Sequence, residues 1–375
     1  MSTYAESGVD VDTEAKVSRL MYEAAKQTWA NRQGTLGEVI VPTDDFSGVR
    51  AINVGELPLG TVMNLGFDGV GTKAEIAQRV GDHSTIAHDL IAMVADDAVV
   101  RGAEPVIAGS IFDTTSFATS PEDKVEAMRQ IAQGYTTAAQ AANIAIINGE
   151  IAQLGDAVGG YGDFRYNWGA SLVWFAHRDR LLDGSKLAAG DKLIAIEEKG
   201  FRSNGLSLLR KIMLEKYGEQ WHDTDFNDTT FGVAALLPST IYCKAVVELL
   251  GGWDINTTPV ANVSGVAHIT GGGIPEKLGR MLRGTGLGAT LDALFTPSPL
   301  MLEAQKLGQV SDDEAYRTWN MGQGMIVATS EPDKVLDHLK SAGLVAQVAG
   351  SITSRPVIEL DSRGLEGKKL SFDVQ

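Results

Sequence analysis

The sequence predicts an α/β (α+β) protein of two domains, and three observations carry the prediction. A length of 375 residues holds about two domains at roughly 100–200 residues each. Apolar runs suited to strands alternate with segments of helical periodicity in both halves. Between the halves a charged stretch containing Gly184 and Gly190 spans 177–191, which divides the chain into 1–177 and 178–375.

In the first half, Val17, Leu20, Met21, Ala24, Ala25 and Thr28 recur at helical spacing and predict a helix over 12–31. Residues 32–60, rich in Gly, Pro and Asp, predict a mobile loop with short strands at 38–41 and 49–54. A strand over 61–67, a tight turn over 68–72 and a short helix over 76–80 come next. Ile86, Leu90, Met93, Val94, Ala98 and Val99 make one apolar face of a helix over 84–101, which Gly102 and Pro105 end. A buried strand follows over 105–112. Ser120 as N-cap, Pro121 behind it and two acids open a helix to Ala142, which leads into a strand over 144–148. A polar segment, 153–166, precedes a strand over 169–175.

The second half begins with a strand over 192–197 and continues with helices over 204–217, 239–250 and 275–282. A β-α-β unit over 324–329, 331–342 and 344–352 closes it, and the charged tail from Arg355 is expected to be peripheral.

Lys+Arg number 32 against 48 Asp+Glu, a net charge of −16, and no basic run offsets it. Such a field repels phosphate backbones and anionic lipid, so neither a nucleic acid nor a membrane surface is the expected partner. A single cysteine, Cys243, makes neither an intramolecular disulfide nor a thiolate metal site, and it suits a reducing compartment. The N-terminal residues carry acids early and lack an apolar core, and no apolar run approaches the roughly 18 residues of a membrane span. The expected setting is cytoplasmic.

Several residue groups carry chemistry. Asp68-Gly69-Val70-Gly71-Thr72-Lys73 puts a carboxylate, two glycines, a hydroxyl and an ammonium on one strand-to-helix turn. Backbone N–H groups there can approach a phosphate, Lys73 can reach its oxygens and Asp68 can hold Mg2+, although an ordinary turn has the same letters. Asp96 and Asp97 are adjacent on a helix and cannot share a face, so one of them points at something specific unless both are solvated. Glu150 follows a buried strand, where open α/β sheets place ligands or bases, or where a strand simply turns. Arg202-Ser203-Asn204-Gly205 precedes a helix as a cap or an anion site. Three glycines after His268-Ile269-Thr270 cost entropy unless a backbone must approach something closely, and Asn320-Met321-Gly322 is a further glycine-punctuated entry to a strand.

In this order the groups resemble the aminoimidazole ribonucleotide synthetase (phosphoribosylformylglycinamidine cyclo-ligase) family of purine biosynthesis. The resemblance also rests on Ser7-Gly8-Val9-Asp10, Asp82-His83-Ser84-Thr85, Gly102-Ala103-Glu104-Pro105 and Tyr316-Arg317-Thr318-Trp319-Asn320, and it covers nearly the whole chain. It implies a PurM-like pair of domains: an N-terminal sheet-forming domain that binds ATP and dimerises, and a C-terminal α/β domain that completes the substrate site. It implies a ligase that closes the ring of formylglycinamidine ribonucleotide with ATP and Mg2+, through an iminophosphate, in a homodimer.

Carried onto this chain, the resemblance assigns Asp68, Gly69, Gly71, Thr72, Lys73 and Asp97 to ATP and Asp68 and Asp97 to Mg2+. It assigns Lys73, Glu150 and His268 to catalysis, and Arg202, Ser203, Asn204, Gly205, Thr270, Gly271, Gly272 and Asn320 to the ribonucleotide. The chain departs from the family pattern at Arg202, where the family has histidine, at Ile151 and Gln153 after Glu150, and at Ser110. The glycine-rich loop before the first strand is thinned to Gly34-Thr35-Leu36-Gly37. These departures leave open a relative acting on a different amide or phosphate substrate, or a nucleotide-binding pseudoenzyme. Selenophosphate synthetase, thiamine-monophosphate kinase, HypE and the formylglycinamidine ribonucleotide amidotransferase share the architecture. The lone Cys243 speaks against the first and third, and the chain length against the last.

Overall fold

A computed structural model describes residues 10–42 and 48–374. Ser7-Gly8-Val9 of the first motif lies outside the described residues.

The first half builds a four-stranded sheet. Asp10 caps α1 (Val11–Thr28) by accepting the Thr13 N–H at 3.0 Å. The short strands β1 (Glu38–Ile40) and β2 (Ala51–Asn53) pair antiparallel beside it. Then come β3 (Thr61–Gly69), α2 (Lys73–Val80), α3 (Ile86–Val99), β4 (Glu104–Thr114), α4 (Pro121–Ala142), β5 (Ala145–Gln153) and β6 (Tyr166–His177). The sheet order is β3-β6-β4-β5, antiparallel except for the β4–β5 pair. Helix α3 covers β3, β6 and β4 from one side, with α4 against α3 and α1 against α4. The opposite face is open, and Met63, Leu65, Phe67 and Ile111 stand on it at 60%, 44%, 73% and 57% exposure.

The second half builds a seven-stranded sheet. Its elements are β7 (Lys192–Glu197), α5 (Leu206–Tyr217), the small pair β8 (Asp225–Phe226) and β9 (Thr229–Thr230), α6 (Phe231–Ala235) and α7 (Cys243–Leu250). They continue with β10 (Val263–His268), α8 (Gly273–Leu282), β11 (Gly288–Leu291), α9 (Pro299–Gly308) and α10 (Asp312–Thr318). The last are β12 (Gln323–Thr329), α11 (Pro332–Ser341), β13 (Ala346–Thr353), β14 (Val357–Asp361) and β15 (Lys369–Asp373). The order is β10-β12-β7-β13-β11-β14-β15. Central strands β7 and β12 read as continuous apolar runs because both faces are covered, and Leu193 to Ile196 and Met325 to Ala328 are fully buried.

The structure revises four expectations. The tail from Arg355 is not peripheral, since β14 and β15 complete the sheet edge and bury Ile358 and Phe372. The strand predicted to end at Asn148 runs on to Gln153 because it pairs with β4 along its whole length, which leaves Glu150 inside a strand. The loop at 34–37 is held from within: the Arg32 guanidinium, ion-paired to Glu104 at 2.9 Å, donates through Nε to the Leu36 carbonyl at 2.8 Å. Strand β10 and helices α9 and α10 lie where no periodicity marked them. Among the described residues no helix is long and apolar enough to cross a membrane.

Candidate functional site

Helix α3 lies between the two halves, against the first sheet on one side and against α7 and β10 on the other. A surface helix would be amphipathic, but this one is buried almost all round, so its acids need partners. Asp89, Met93, Asp96 and Asp97 fall at helical spacing on the side of the second half. Each acid there holds a group from beyond residue 200.

Asp89 accepts the Lys73 ammonium at 2.7 Å and the Ser239 hydroxyl and N–H. Lys73 also donates to the Leu237 carbonyl, and both members of the ion pair are fully buried. In this geometry the Lys73 ammonium, which the resemblance assigns to phosphate, turns inward and ties α2 to α3 and the 237–239 segment.

Asp96 accepts the Tyr242 and Cys243 N–H groups at 3.0 and 2.8 Å through Oδ1, which places a carboxylate at the start of α7. Its Oδ2 accepts Arg202 Nη2 at 2.8 Å. Arg202 is itself fully buried, with Nη1 donating to Glu198 Oε2 and to the Thr240 carbonyl, each at 2.8 Å. The guanidinium that the resemblance assigns to substrate is here engaged by protein groups. No face of the guanidinium reaches solvent, and Glu198 and Asp96 raise its pKa far enough to overcome the effect of burial. The Asn320 amide is likewise engaged by backbone, donating to the Gly200 carbonyl at 2.8 Å and accepting Gly322 N–H at 2.9 Å, so it braces two loops.

Asp97 is the acid that faces outward. Its side chain is 55% exposed, and its Oδ1 lies 2.7 Å from Nδ1 of the buried His268. Burial works to raise its pKa, but the hydrogen bond from His268 and the nearby Lys277 and Arg280 cations outweigh it and hold the carboxyl below the usual range. Asp68, at the end of β3, shifts the other way. Burial and the charge of Asp97 hold it above the usual range, although Gly69 N–H donates to its Oδ1 at 2.7 Å. Asp68 thus feels the charges of Asp97, His268 and Lys277, and the last three line, with Arg280, a cavity of about 80 Å3.

The glycine turns converge beside these acids. Gly71 takes φ +61°, and a Cβ there would lie 3.5 Å from the Ser203 carbonyl, so the 69–72 and 203–205 turns meet. A Cβ at Gly271 would come within 2.9 Å of Asn204 Oδ1. Gly272 and Gly273 take φ +90° and +58°, and any side chain on Gly273 would collide with the Tyr316 carbonyl. Thr270 is buried and its carbonyl receives Gly273 N–H at 2.9 Å, which closes the turn at the head of α8. The Ser203 hydroxyl is buried without a partner among the described residues, so it is available to a ligand. Trp319 packs over Gly205 and donates Nε1–H to its carbonyl at 3.1 Å.

Glu150 stands on the other face of the first sheet, although Asp68, Gly69 and Glu150 all line one cavity of about 620 Å3 at that sheet. The register partner of Glu150 is Ile111, on the open face of the first sheet, whereas Asp68 is one residue out of step with exposed Phe67 and so faces α3. Gln153, one of the departures, is a tie. Its Nε2 donates to Glu14 at 2.6 Å and its Oε1 accepts Phe117 N–H at 2.9 Å, so an acid at this position would face Glu14.

The donor set of Asp68 and Asp97 fits a Mg2+ ion. Two hard carboxylates face one neighbourhood, the Asp68 carboxyl held above its normal pKa by burial and by the charge of Asp97, and each has one oxygen committed and one to offer. No cluster of three or more metal-ligating side chains occurs among the described residues. A cation here would therefore complete its shell with water and phosphate oxygens, as Mg2+ commonly does. Asp89, Glu198 and Lys277 carry no site assignment in the sequence reading, which singles out the Asp96-Asp97 pair but expects only one of the two to have a specific partner, whereas the structure gives one to each.

The chain matches the family models described as AIR synthase related protein, N-terminal domain, over residues 51–164, and AIR synthase related protein, C-terminal domain, over residues 188–362. It is 33% identical over 373 residues to the phosphoribosylformylglycinamidine cyclo-ligase of Sorangium cellulosum, covering 97% of this chain and 99% of that one. It is 34% identical to the enzyme of the same name from Limosilactobacillus fermentum, over 96% of this chain and 98% of the relative. The structure of E. coli HypE, a hydrogenase maturation protein, superposes with a TM-score of 0.59 at 18% identity over 95% of each chain.

Proposed function

The chain belongs to the AIR synthase-related family, and from that premise we propose that it is an ATP-dependent phosphoribosylformylglycinamidine cyclo-ligase, closing the imidazole ring of formylglycinamidine ribonucleotide. The observation that carries the reading within the structure is the pairing of Asp97 with His268 at 2.7 Å beside Asp68, because it joins the two halves at one acidic site between glycine turns.

ATP bound with Mg2+ supplies the phosphoryl group that makes an amide oxygen a leaving group. The residues of the chain do the rest. Asp68 and Asp97 would hold the cation. Gly69, Gly71 and Thr72 present backbone at the head of α2, where a helix N-terminus favours negative charge. On the opposite side, Ser203, Asn204 and the 270–272 turn hold the ribonucleotide, with the unpartnered Ser203 hydroxyl as its first contact. Catalysis in this arrangement is mostly positioning and electrostatic stabilisation, which suits a cleft whose walls are cross-linked by buried ion pairs.

We assign the protein to the cytoplasm and to a homodimer formed through the open face of the first sheet, where Met63, Leu65, Phe67 and Ile111 make an apolar surface of the kind that marks an interface. In such a dimer Glu150, on the same face, would belong to the interface rim.

The test is direct. The purified protein, ATP, Mg2+ and formylglycinamidine ribonucleotide should yield the aminoimidazole product with one ADP and one phosphate per ring closed. ATP consumption with no ring closed would mean a different acceptor, and no consumption with any amide substrate would remove the enzymatic reading.

A further inference from the structure

We propose that Arg202 is a positioning residue for Asp97, acting through His268. It donates Nη2–H to Nε2 of the imidazole, obliges the ring to present Nδ1–H to Asp97 Oδ1, and so decides which oxygen of that carboxylate remains for a cation. The inference rests on the reading of Asp68 and Asp97 as the cation site.

The argument starts from donor chemistry. A guanidinium has five N–H donors and no acceptor. Arg202 Nη2 lies 2.8 Å from His268 Nε2, so Nε2 must be the accepting nitrogen. The remaining hydrogen is then on Nδ1, which lies 2.7 Å from Asp97 Oδ1 and donates to it. With Oδ1 occupied, Oδ2 is the oxygen Asp97 can offer.

The guanidinium has no freedom to do otherwise. Glu198 Oε2 and the Thr240 carbonyl hold Nη1, Asp96 Oδ2 holds Nη2, and the Tyr242 ring lies under the group at 5.1 Å. These partners are braced in turn. Glu198 Oε2 also accepts Thr240 N–H at 3.2 Å and Tyr242 O–H at 3.1 Å, and Asp96 Oδ1 caps α7. The backbone of Arg202 sits at φ +58°, a left-handed conformation that L side chains rarely adopt and that persists only where the surroundings impose it. Asp97 lacks any such frame of its own: it projects from α3, and His268 is the one side chain hydrogen-bonded to it among the described residues. The order of the cation-binding oxygen therefore comes from the second half of the chain, along Glu198 and Asp96, Arg202, His268 and Asp97. A lysine at position 202 would keep the charge but, as a single point donor, could not span Glu198, Asp96 and the imidazole at once.

The experiment uses the full-length protein and Mn2+ as the probe, with free Mn2+ measured by electron paramagnetic resonance at constant pH. Arg202→Lys and Arg202→Met are expected to bind Mn2+ about 10- to 100-fold more weakly than the parent, the usual cost of removing an outer partner of a metal ligand. Arg202→Lys, compared with the parent at equal folded fraction, should show a raised Mg2+ requirement for turnover, with the KM for the ribonucleotide unchanged. A folded Arg202→Lys that binds Mn2+ as the parent does overturns the proposal. Arg202→Met leaves Asp96 and Glu198 unpaired in the interior and is not needed if it fails to fold, because the parent carries its own test. Long-range 1H–15N correlation spectra should find His268 as the Nδ1–H tautomer, and an Nε2–H signature overturns the proposal whatever the variants do. A parent that binds no Mn2+, with or without ATP, overturns it as well. A parent that binds Mn2+ but closes no ring rejects the proposed function and leaves the role of Arg202 standing.

Discussion

Asp68 and Lys73 sit five residues apart on one turn and do opposite work, and the difference is burial. Asp68 is partly open and bonded only to its neighbour Gly69, so Asp68→Asn keeps shape and fold while removing charge from the cation site. Turnover should fall by on the order of 10²-fold or more, with an unchanged unfolding curve. An Asp68→Asn enzyme as active as the parent would exclude Asp68 from the site. Lys73→Met should behave the other way round. It strands a fully buried Asp89, so the expected loss is about 3–5 kcal/mol of stability, read from urea unfolding, with the KM for ATP unchanged in the folded fraction. The letters of the turn showed a phosphate kit, and local sequence alone had no means of revealing that Lys73 points inward, because its partners lie at 89 and 237. The same holds for Arg202 and Asn320, whose neighbours in sequence suggested a ligand and whose neighbours in space are Glu198, Asp96 and the Gly200 carbonyl. Gln153 teaches the converse: judged against a family pattern it looked like a lost acid, and in place it is the residue that Glu14 requires.

At the scale of elements, α3 was the most readable piece of the chain, since its apolar spacing predicted a helix over 84–101 and the structure forms it over Ile86–Val99. Of its acids the sequence marked only the Asp96-Asp97 pair, as one specific and one solvated group, because a sequence does not say which helix will be wrapped on all sides. Strands were harder where pairing rather than pattern sets their length, as β5 shows by running through Asn148-Gly149-Glu150. His83 packs edge-on against Phe164 and Tyr166, which stack in turn on Phe112, and its Nδ1 lies 3.0 Å from the Tyr166 hydroxyl. Burial, opposed only in part by Asp82, lowers the His83 pKa to about 4 from its ordinary 6.5. The unfolded chain therefore takes up this proton first as the pH falls. The contribution is complete above pH 6.5 and is lost between there and about pH 4, up to on the order of 3 kcal/mol. In His83→Gln the urea midpoint should fall less steeply between pH 6.5 and 4.5 than in the parent. Parallel curves would mean that His83 protonates freely in the native state.

For the whole molecule, the open sheet face is the feature that the chain does not cover with its own described residues. Phe67→Asp or Ile111→Asp places a charge on that face without touching the core behind it. If the face pairs two copies, sedimentation should find a dimer for the parent and a monomer for either variant at micromolar concentration, with little change in the melting curve of the monomer. A parent that sediments as a monomer would leave the apolar face unexplained and the dimer excluded.

The acid seam on α3 has a further consequence, in the time domain of protein synthesis. Asp96 finds Arg202 and the start of α7 at sequence separations of 106 and 146–147, and Asp97 finds His268 at 171. A ribosome adding roughly 5–20 residues per second leaves these carboxylates without their partners for on the order of ten seconds or more after α3 emerges. During that interval the first half can collapse around its sheet but cannot bury α3 on its second side, since unpaired acids resist desolvation. Nascent chains stalled near residue 190 should accordingly remain open to protease at α3 while the β3–β6 region is already protected. Chains released past residue 280 should lose that sensitivity in one step, and protection of α3 in the shorter chain would show that the helix is buried without its partners.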